Sequence, residues 1–587
     1  VKLVGTVNVS SIEDNYMPHL QCIAPAEQSG ESFRSALESV KEEIAKVHPR
    51  NNNQVIKERS YVSTPEVLQS FQVRNVTKGI PLDNHLAMEG DNIVSTGNFY
   101  MSINNRQGMQ LQKFTLRSFA DQAGIEATPF DPRLAYDMES NRWIFNFLAG
   151  FSSNQTHMVV AFSQTSDPMG DWNVYRIEGN PNGLSEWTDY PMISMTNDHV
   201  YVTINLLRDG ESWQLGFVET VIWEIDKESG YAGGDLELTK YDNIKIEGNT
   251  IRNVCPAESA TEEIYDDIYF LSDRNFAVES DTFILMKLDP TASNPDELFT
   301  AEYILSDTPY GAPPNAAQTV GTLATNDARI LEAFRLGEHL QFVGNTRNLV
   351  NNKAGIFHAI LEDASNPSTI TLNHIIGDDF EVGYPGITYT GQSDEEKDAI
   401  IIMSHSSDDR FPGISALYSF PGEGYSELVT VEEGTNYIDM QDATTLERWG
   451  DYAGSQRDYD NPGEVWTLGT ISKNAKENLP YVGHLRRPSE PTGVFSQNAP
   501  NVNTTVYPNP TSERISVEID IKKSNSRMSA NLLTVSGDLV GEVYQTHHMK
   551  AGKNEFSFDV SSLPSGMYIV NVIVDARTVS SKTFVRQ

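Results

Sequence analysis

The stretch Val200-Tyr-Val-Thr-Ile-Asn205 decides the fold, because the chain contains six further stretches of the same kind. Each alternates apolar and other side chains as a half-buried β-strand does, and each ends in a small or amide residue, or one of similar size. The other copies are Ile93–Asn98, Trp143–Gly150, Ile268–Asp273, Leu340–Asn345, Ile400–His405 and Val465–Thr470. Seven copies along one chain indicate an internal structural repeat.

Each copy belongs to a set of strands. A strand that often starts with an Asp precedes it, a third strand follows, as at Met158–Gln164, and a fourth often comes next, as at Trp172–Ile177. Repeated groups of four antiparallel strands are typical of propeller blades, because each blade buries its faces only against its neighbours. The sequence therefore predicts an all-β protein with a seven-bladed β-propeller over residues 81–488. An array of β-sandwiches is the alternative.

Residues 1–80 are predicted to form an N-terminal extension with one helix. Apolar residues from Phe33 to Val47 recur at helical spacing, which places the helix at about 31–48. The last repeat lacks an outer strand. We therefore predict that residues ~54–76 supply this strand and close the ring.

Composition excludes several classes of protein. The 587 residues include 43 Lys and Arg against 81 Asp and Glu, a net charge of −38, which repels nucleic acid. No window of about 18 apolar residues predicts a transmembrane helix. Cys22 and Cys255 are too few for a disulfide framework or a thiolate metal site, although they could form one bridge. The start at Val1 fits a mature protein whose targeting peptide has been removed.

Acidic residues recur where the first strand of a repeat begins. In a propeller these positions surround one mouth of the central channel, so the carboxylates would form a ring there. Such a ring could bind a cation such as Ca²⁺ through oxygen ligands. An Asp before a strand also commonly accepts hydrogen bonds from its own turn, in which case no cofactor is expected. The residues are Asp83, Asp131, Asp189, Asp327 and Asp451.

Three arginines occupy comparable positions: Arg133, Arg329 and Arg448. Convergent guanidinium groups could clamp a carboxylate-bearing sugar, an arrangement that resembles the one in sialidase propellers. The sialidase repeat is present only in a distorted form, at Ser166–Trp172. The alternative is that these arginines make salt bridges between blades. No Gly-x-Ser-x-Gly, His-Glu-x-x-His or phosphate-binding Gly-rich motif occurs, so the sequence names no catalyst and leaves enzyme activity open.

The C-terminal residues 504–587 follow a Pro- and Asn-rich linker at 489–503 and have a distinct pattern. They contain Tyr-Pro-Asn-Pro, a Gly after the third strand, Leu-Pro-x-Gly-x-Tyr and a basic last strand. This closely resembles the type A C-terminal sorting domain of the type IX secretion system, a small seven-stranded β-sandwich. The residues that carry the resemblance are Tyr507, Pro508, Asn509, Pro510, Gly537, Leu563, Pro564, Gly566, Tyr568 and Lys582.

The resemblance implies that the protein reaches the periplasm with a signal peptide and then crosses the outer membrane. Its expected partners are the translocon, the outer-membrane shuttle barrel and a sortase-like peptidase that cleaves before Tyr507. The mature protein would be secreted or held at the cell surface.

The propeller region looks like a family of uncharacterised secreted propellers, through Asp131–Asp137, Trp187–Pro191 and Arg448–Tyr452. We therefore expect a binding or adhesion module that recognises glycans or surface proteins. A carbohydrate-active propeller enzyme, sialidase-like or other, is the alternative, and a passive structural component is the third hypothesis.

Overall fold

The computed structural model describes residues 1–17, 21–22, 35–51, 62–74, 78–292, 298–377, 379–420, 424–440, 446–475, 477–488, 504–521, 526–534, 539–550, 552–574 and 577–587. The chain divides into two compact units. The first comprises Val1–Glu58 and Val62–Arg487, and the second contains Pro488–Gln587.

The described part of the first unit contains seven sheets of four or five strands, numbered here in chain order. Sheet 1 comprises His85–Glu89, Asn92–Gly97, Tyr100–Asn105 and Gln110–Phe114. Sheet 2 comprises Pro129–Asp137, Arg142–Ala149, His157–Ser163, Asp171–Glu178 and Leu3–Asn8. Sheet 3 comprises Glu186–Met195, His199–Arg208, Phe217–Asp226 and Leu238–Tyr241. Sheet 4 comprises Cys255–Pro256, Ile268–Asp273, Ser280–Leu288 and Phe299–Tyr310.

The remaining sheets continue the same pattern. Sheet 5 comprises Ile330–Leu336, His339–Arg347, Ala354–Leu361 and Thr371–Ile375, with Glu258–Ser259 beside its first strand. Sheet 6 comprises Glu381–Tyr389, Ala399–Ser406, Gly413–Phe420, Gly424–Tyr425 and Val429–Glu432. Sheet 7 comprises Gly454–Arg457, Glu464–Asn474, Glu477–Arg486 and Glu66–Gln72.

The seven sheets close into a ring around a central channel. The first strand of each sheet contacts the first strand of the next, and that of sheet 7 contacts that of sheet 1. The core lies between neighbouring sheets: Val94 and Ile103 of sheet 1 share one apolar cluster with Phe145 and Trp172 of sheet 2. The predicted all-β propeller fold is confirmed, and the copies found in the sequence form the second strand of each sheet.

Two N-terminal strands belong to the ring. Glu66–Gln72 pairs antiparallel with Glu477–Arg486, so a strand from the start of the chain completes the last sheet. It lies within the segment for which the sequence predicts this role. Leu3–Asn8 pairs with Asp171–Glu178 as a fifth strand of sheet 2, which the sequence had not indicated.

Three helices occur among the described residues: α1 (Ser35–Val47), α2 (Leu116–Gln122) and α3 (Lys227–Ala232). Helix α1 falls within the predicted helix, whose first four residues lie outside the described ones. None of the described helices is long and apolar enough to cross a membrane. A 3₁₀ turn spans Val9–Ser11, and the other short strands are Gln21–Cys22, Gly79–Ile80, Lys245–Ile246, Asn249–Thr250, Ala316–Ala317, Thr322–Ala324 and Leu446–Arg448. Cys255 is buried and free, while the side chain of Cys22 is not among those described.

The second unit is a β-sandwich. One sheet contains Thr504–Tyr507, Arg514–Ile521 and Gly552–Asp559. The other contains Ser526–Thr534, Leu539–Met549, Gly566–Val574 and Arg577–Arg586. A single apolar cluster, with Val517, Phe558, Val570 and Phe584 among its members, joins the two sheets, because each contributes one apolar face.

Candidate functional site

The backbone turns into a left-handed conformation where the first strands begin. Six residues within or just before the first strands of six different sheets have φ between +48° and +53°: Asp83, Asp131, Tyr190, Asn253, Asn326 and Tyr384. Asn and Asp adopt this conformation more readily than other residues with a Cβ atom, which accounts for Asp83 and Asp131. The structural equivalents in sheets 3 and 5 are therefore Tyr190 and Asn326. Asp189 precedes this position by one residue, and Asp327 follows it by one.

The Asn that ends several of the repeated stretches forms a hydrogen bond to the next sheet. The side-chain oxygen of Asn98 accepts a hydrogen bond from the backbone N–H of Asp131 at 2.7 Å. Asn345 accepts one from the N–H of Tyr384 at 2.7 Å, and Asn205 accepts one from the N–H of Asn253 at 3.3 Å. The repeated amide therefore accepts a hydrogen bond from the backbone N–H of the left-handed residue in the following sheet. Without the amide, this buried donor would be unpaired.

A pocket opens at the mouth of the channel where the first strands begin. Its charged lining brings together residues that are far apart in the sequence, from sheets 1, 2, 3 and 5 and from the start of sheet 7. Aromatic rings from sheets 2 and 3 and their loops form part of its wall. The lining includes Asp83, Asp131, Asp189, Asp451, Arg329, Arg448, Tyr190, Phe130, Phe151, Trp187 and Trp213.

Two of the three predicted arginines lie in this pocket, and both are already paired. Arg329 holds Asp327 with two hydrogen bonds, Nε to Oδ1 at 2.7 Å and Nη2 to Oδ2 at 2.8 Å. Arg448 Nη2 contacts Asp451 Oδ2 at 2.5 Å. The bidentate pair at Arg329 uses the two parallel donors that an external carboxylate would need, whereas Arg448 makes a single contact and its Nε has no hydrogen-bond partner among the described residues.

Arg133 lies outside the pocket lining. It is 3% exposed, its guanidinium group stacks 3.4 Å from the centre of the Tyr452 ring, and its Nε donates to the carbonyl of Pro191 at 2.9 Å. The structure thus brings together Arg329 and Arg448, while Arg133 fills the channel beside Tyr452.

The five predicted carboxylates differ in their hydrogen bonds and ion pairs. Asp83 accepts hydrogen bonds from Asn98 Nδ2 at 2.7 Å and from the N–H of Asp451 at 2.8 Å. Asp327 and Asp451 are paired with arginines. Among the described residues, Asp131 and Asp189 have no Lys or Arg partner within ion-pair distance.

The pKa values reflect this crowding of acids. Burial, followed by repulsion from Asp451, raises the pKa of Asp83 to about 7, and the same two causes raise that of Asp189 to about 6. Burial and three neighbouring carboxylates raise the pKa of Asp131 well above its ordinary value. Burial also disfavours the charge of Asp327, but Arg329 outweighs it and lowers the pKa of Asp327.

Helix α1 lies against the mouth, a contact that the sequence did not reveal. Leu37 lines the pocket. Lys41, 5% exposed, donates from Nζ to Asn315 Oδ1 at 2.7 Å and to Thr325 Oγ1 at 2.8 Å, and Glu38 accepts from Asn315 Nδ2 at 2.7 Å. The helix therefore docks by apolar and polar contacts, and the pocket keeps ≈ 50 Å³ of free space. This is room for a few waters or one small polar group.

A second pocket lies further along the first strands. Glu258 lines it, and burial raises the pKa of this carboxyl to about 7. Nearby Glu332 is engaged structurally: its Oε2 accepts from the N–H of Ile387 at 2.6 Å and from the hydroxyl of Ser455 at 3.2 Å. Because Glu258 is the one carboxyl residue in its described lining, this second pocket is less suited to a charged ligand than the mouth.

One group of three potential metal ligands occurs among the described residues, and it lies away from the mouth. It consists of Asp458, Glu464 and His484. Asp458 already binds Arg106 and accepts from Trp466 Nε1 at 3.1 Å, and His484 Nε2 contacts Glu464 Oε2 at 2.7 Å. An arginine cation thus takes the place that a metal would need. The mouth carboxylates form no such convergent set.

The tail residues with the sorting-domain motif hold its first and last strands together. Asn509 Nδ2 donates to the carbonyl of Thr583 at 3.0 Å, and Asn509 Oδ1 accepts from the N–H of Val585 at 2.9 Å. The hydroxyl of Tyr568 donates to the carbonyl of Pro564 at 2.9 Å, Leu563 packs against the core, and Lys582 is exposed. Gly537 lies outside the described residues.

Fold and site together define a β-propeller with a charged pocket at one channel mouth, followed by a β-sandwich tail. Residues 505–586 match the family described as "Secretion system C-terminal sorting domain". The tail is therefore the sorting domain of a type IX secretion cargo protein, as its motifs predicted, and it marks the protein for export to the surface or the surroundings of the cell. No curated protein matches the chain.

Several solved structures are similar to the chain. An α-L-arabinofuranosidase from Fusarium graminearum is 10% identical, with a TM-score of 0.34, over 72% of this chain and 98% of that one. An exo-β-1,3-galactanase from Phanerochaete chrysosporium is 8% identical, with a TM-score of 0.26, over 88% and 99%. A protein of unknown function from Dyadobacter fermentans is 11% identical, with a TM-score of 0.32, over 61% and 94%. At these TM-scores the similarities carry no argument about the site.

Proposed function

We propose that the protein is a secreted or surface-held binding protein whose propeller recognises a protruding group of a glycan or a surface protein at the channel mouth. The supporting observation is the convergence of Asp83, Asp131, Asp189, Arg329 and Arg448 with aromatic rings in one pocket. Separated acceptors, donors and aromatic faces are the elements of a recognition site, and the small free volume favours one inserted group over a whole sugar ring.

The test probes the full chain on arrays of glycans and of extracellular proteins from the producing organism. Asp189→Asn alters the pocket, and Asp408→Asn, an exposed change elsewhere on the ring, is its matched control. We expect ligands whose binding is retained by Asp408→Asn and lost by Asp189→Asn. Binding that is equal in both variants would place the recognition surface outside the pocket.

The export route has its own experiment. In our proposal the tail engages the type IX translocon, the shuttle barrel and the sortase-like peptidase after periplasmic delivery. Removing residues 504–587 should leave the propeller inside the cell envelope, as measured by fractionation and crosslinking of the producing cells. Unchanged surface exposure of the truncated protein would contradict this role.

Glycoside hydrolysis is the second candidate function. It is favoured by the unequal pKa values of the acids at the mouth, because Asp83, whose pKa is about 7, can donate a proton at neutral pH while Asp327, which is paired with the pocket residue Arg329, stays ionised. The full chain and Asp83→Asn should be compared on a panel of aryl glycosides. Release of the aryl group by the wild type but not by Asp83→Asn would support glycosidase activity. If neither protein releases it from any glycoside of the panel, the binding function remains the better proposal.

A further inference from the structure

The charges in the mouth pocket do not cancel. Arg329 and Arg448 each hold a carboxylate of their own, Asp327 and Asp451. Asp131 and Asp189 line the same pocket without an ion pair among the described residues. A ligand group that enters meets two carboxyl groups without a basic partner, whereas the guanidinium group of Arg329 is already bound by Asp327 through two hydrogen bonds.

Two buried polar groups of this pocket also lack hydrogen-bond partners. Asp131 is 5% exposed, and its carboxylate accepts no hydrogen bond within the described part of the chain. Tyr190 is 5% exposed, and its hydroxyl has no partner there either. Buried polar groups are normally paired, so a largely buried carboxyl group without a hydrogen-bond donor indicates a missing donor.

The wall of the pocket favours a cation. The rings of Trp187 and Trp213 line it, and the guanidinium carbon of Arg448 already lies 6.0 Å from the centre of the Trp213 ring. Aromatic faces attract ammonium groups through their quadrupole, most strongly when water is excluded. A metal ion fits less well, because the mouth carboxylates do not converge as a set of three ligands in the described chain.

We propose that this pocket binds the protonated primary amine of its ligand, with Asp131 and Asp189 accepting hydrogen bonds from the ammonium group. The free space of ≈ 50 Å³ suits such a head group, with the rest of the ligand outside. The amine can come from an amino sugar or from an alkylamine of the lysine type, which share this chemistry. The inference rests on the proposed binding function and names the group that the pocket recognises.

The experiment titrates the full-length protein at pH 7 and follows tryptophan fluorescence and heat. D-glucosamine is compared with D-glucose, and n-butylamine with n-butanol, so that each pair differs mainly in the ammonium group. We expect at least a tenfold preference for the amine in one pair or both. Preference in the first pair alone identifies an amino sugar as the source, and preference in the second alone an alkylamine. Both results support the proposal.

The variants separate this site from others. Asp131→Asn should weaken amine binding at least tenfold, and because Asn also tolerates a left-handed backbone, the local fold is preserved. Asp408→Asn, at an exposed position in the loop between Ala399–Ser406 and Gly413–Phe420 of sheet 6 and outside the pocket lining, should bind as the wild type does. Equal affinity for amine and neutral analogue, unchanged binding in Asp131→Asn, or binding of Ca²⁺ alone would overturn the inference. If the protein binds neutral glycans through the pocket but shows no preference for amines, the inference would be refuted and the proposed function would stand.

Discussion

Replacing Asn345 by Ala tests whether the repeated amide holds neighbouring sheets together. Asn345 is 1% exposed, accepts from the N–H of Tyr384 in sheet 6 at 2.7 Å, and donates to the carbonyl of Thr325 at 2.8 Å. Truncation leaves a buried N–H and a buried carbonyl without these partners. Each unsatisfied group costs about 1–3 kcal/mol, and water entering the small void recovers part of this. We expect a loss of about 3 kcal/mol in the free energy of unfolding.

Urea unfolding followed by tryptophan fluorescence measures this loss, because all seven Trp residues precede residue 488 and report on the ring. The matched control is Asn366→Ala, an exposed amide with no recorded side-chain hydrogen bond, for which a change within about 0.5 kcal/mol is expected. The slope of the transition should stay the same, so that the midpoint alone moves. An Asn345→Ala midpoint that coincides with the control would refute the reasoning.

Three further predictions concern the pocket, the helix and the tail. Since Asp83 has a pKa of about 7 in the fold and about 4 when unfolded, the native state keeps a proton that the unfolded chain has lost, so ring stability should fall between about pH 4 and 7. Asp83→Asn should flatten this decline in urea titrations, and an unchanged slope would contradict the assignment. Lys41→Met removes two hydrogen bonds and should increase hydrogen exchange in α1, whereas Lys46→Met, whose ammonium contacts exposed Glu43, should not. Equal exchange in both would show that α1 docks by other contacts. Asn509→Ala should destabilise the tail by about 1–2 kcal/mol and speed its limited proteolysis relative to exposed Lys582→Ala. Equal digestion rates would argue against the Asn509 clamp.

The repeat could be recognised in the sequence because each copy meets the same requirements within a few consecutive residues. A strand that is buried on both faces needs apolar residues, and the Asn at its end serves a backbone donor of the next sheet, as at Asn98, Asn205 and Asn345. The first demand recurs in every sheet, and the second is met by Asn in sheets 1, 3 and 5. The missing outer strand of the last repeat likewise pointed to residues ~54–76, because a ring must close, and the strand Glu66–Gln72 lies within that segment.

The site was less predictable, because its geometry depends on contacts between distant residues. Aligning the acids by sequence set Asp189 and Asp327 beside Asp83, although the left-handed residues of those sheets are Tyr190 and Asn326. No local pattern shows that Arg329 is bound by Asp327, whereas Asp131 is left unpaired. The docking of α1 at the mouth likewise rests on Lys41 meeting residues almost 300 positions later.

At position 131 the requirement of the fold can be tested separately from the requirement of ligand binding. Folding requires a residue that tolerates positive φ at position 131, and Asn satisfies this as well as Asp. A buried charge costs stability, and burial raises the pKa of Asp131. Asp131→Asn should therefore stabilise the ring at pH 8, and the gain should be smaller at pH 5, because the cost of burying Asp131 decreases as the pH falls. Urea unfolding at the two pH values measures this. A variant that is more stable and yet no longer binds an amine would assign the carboxylate to the ligand, and one that is less stable at pH 8 would assign it to the fold.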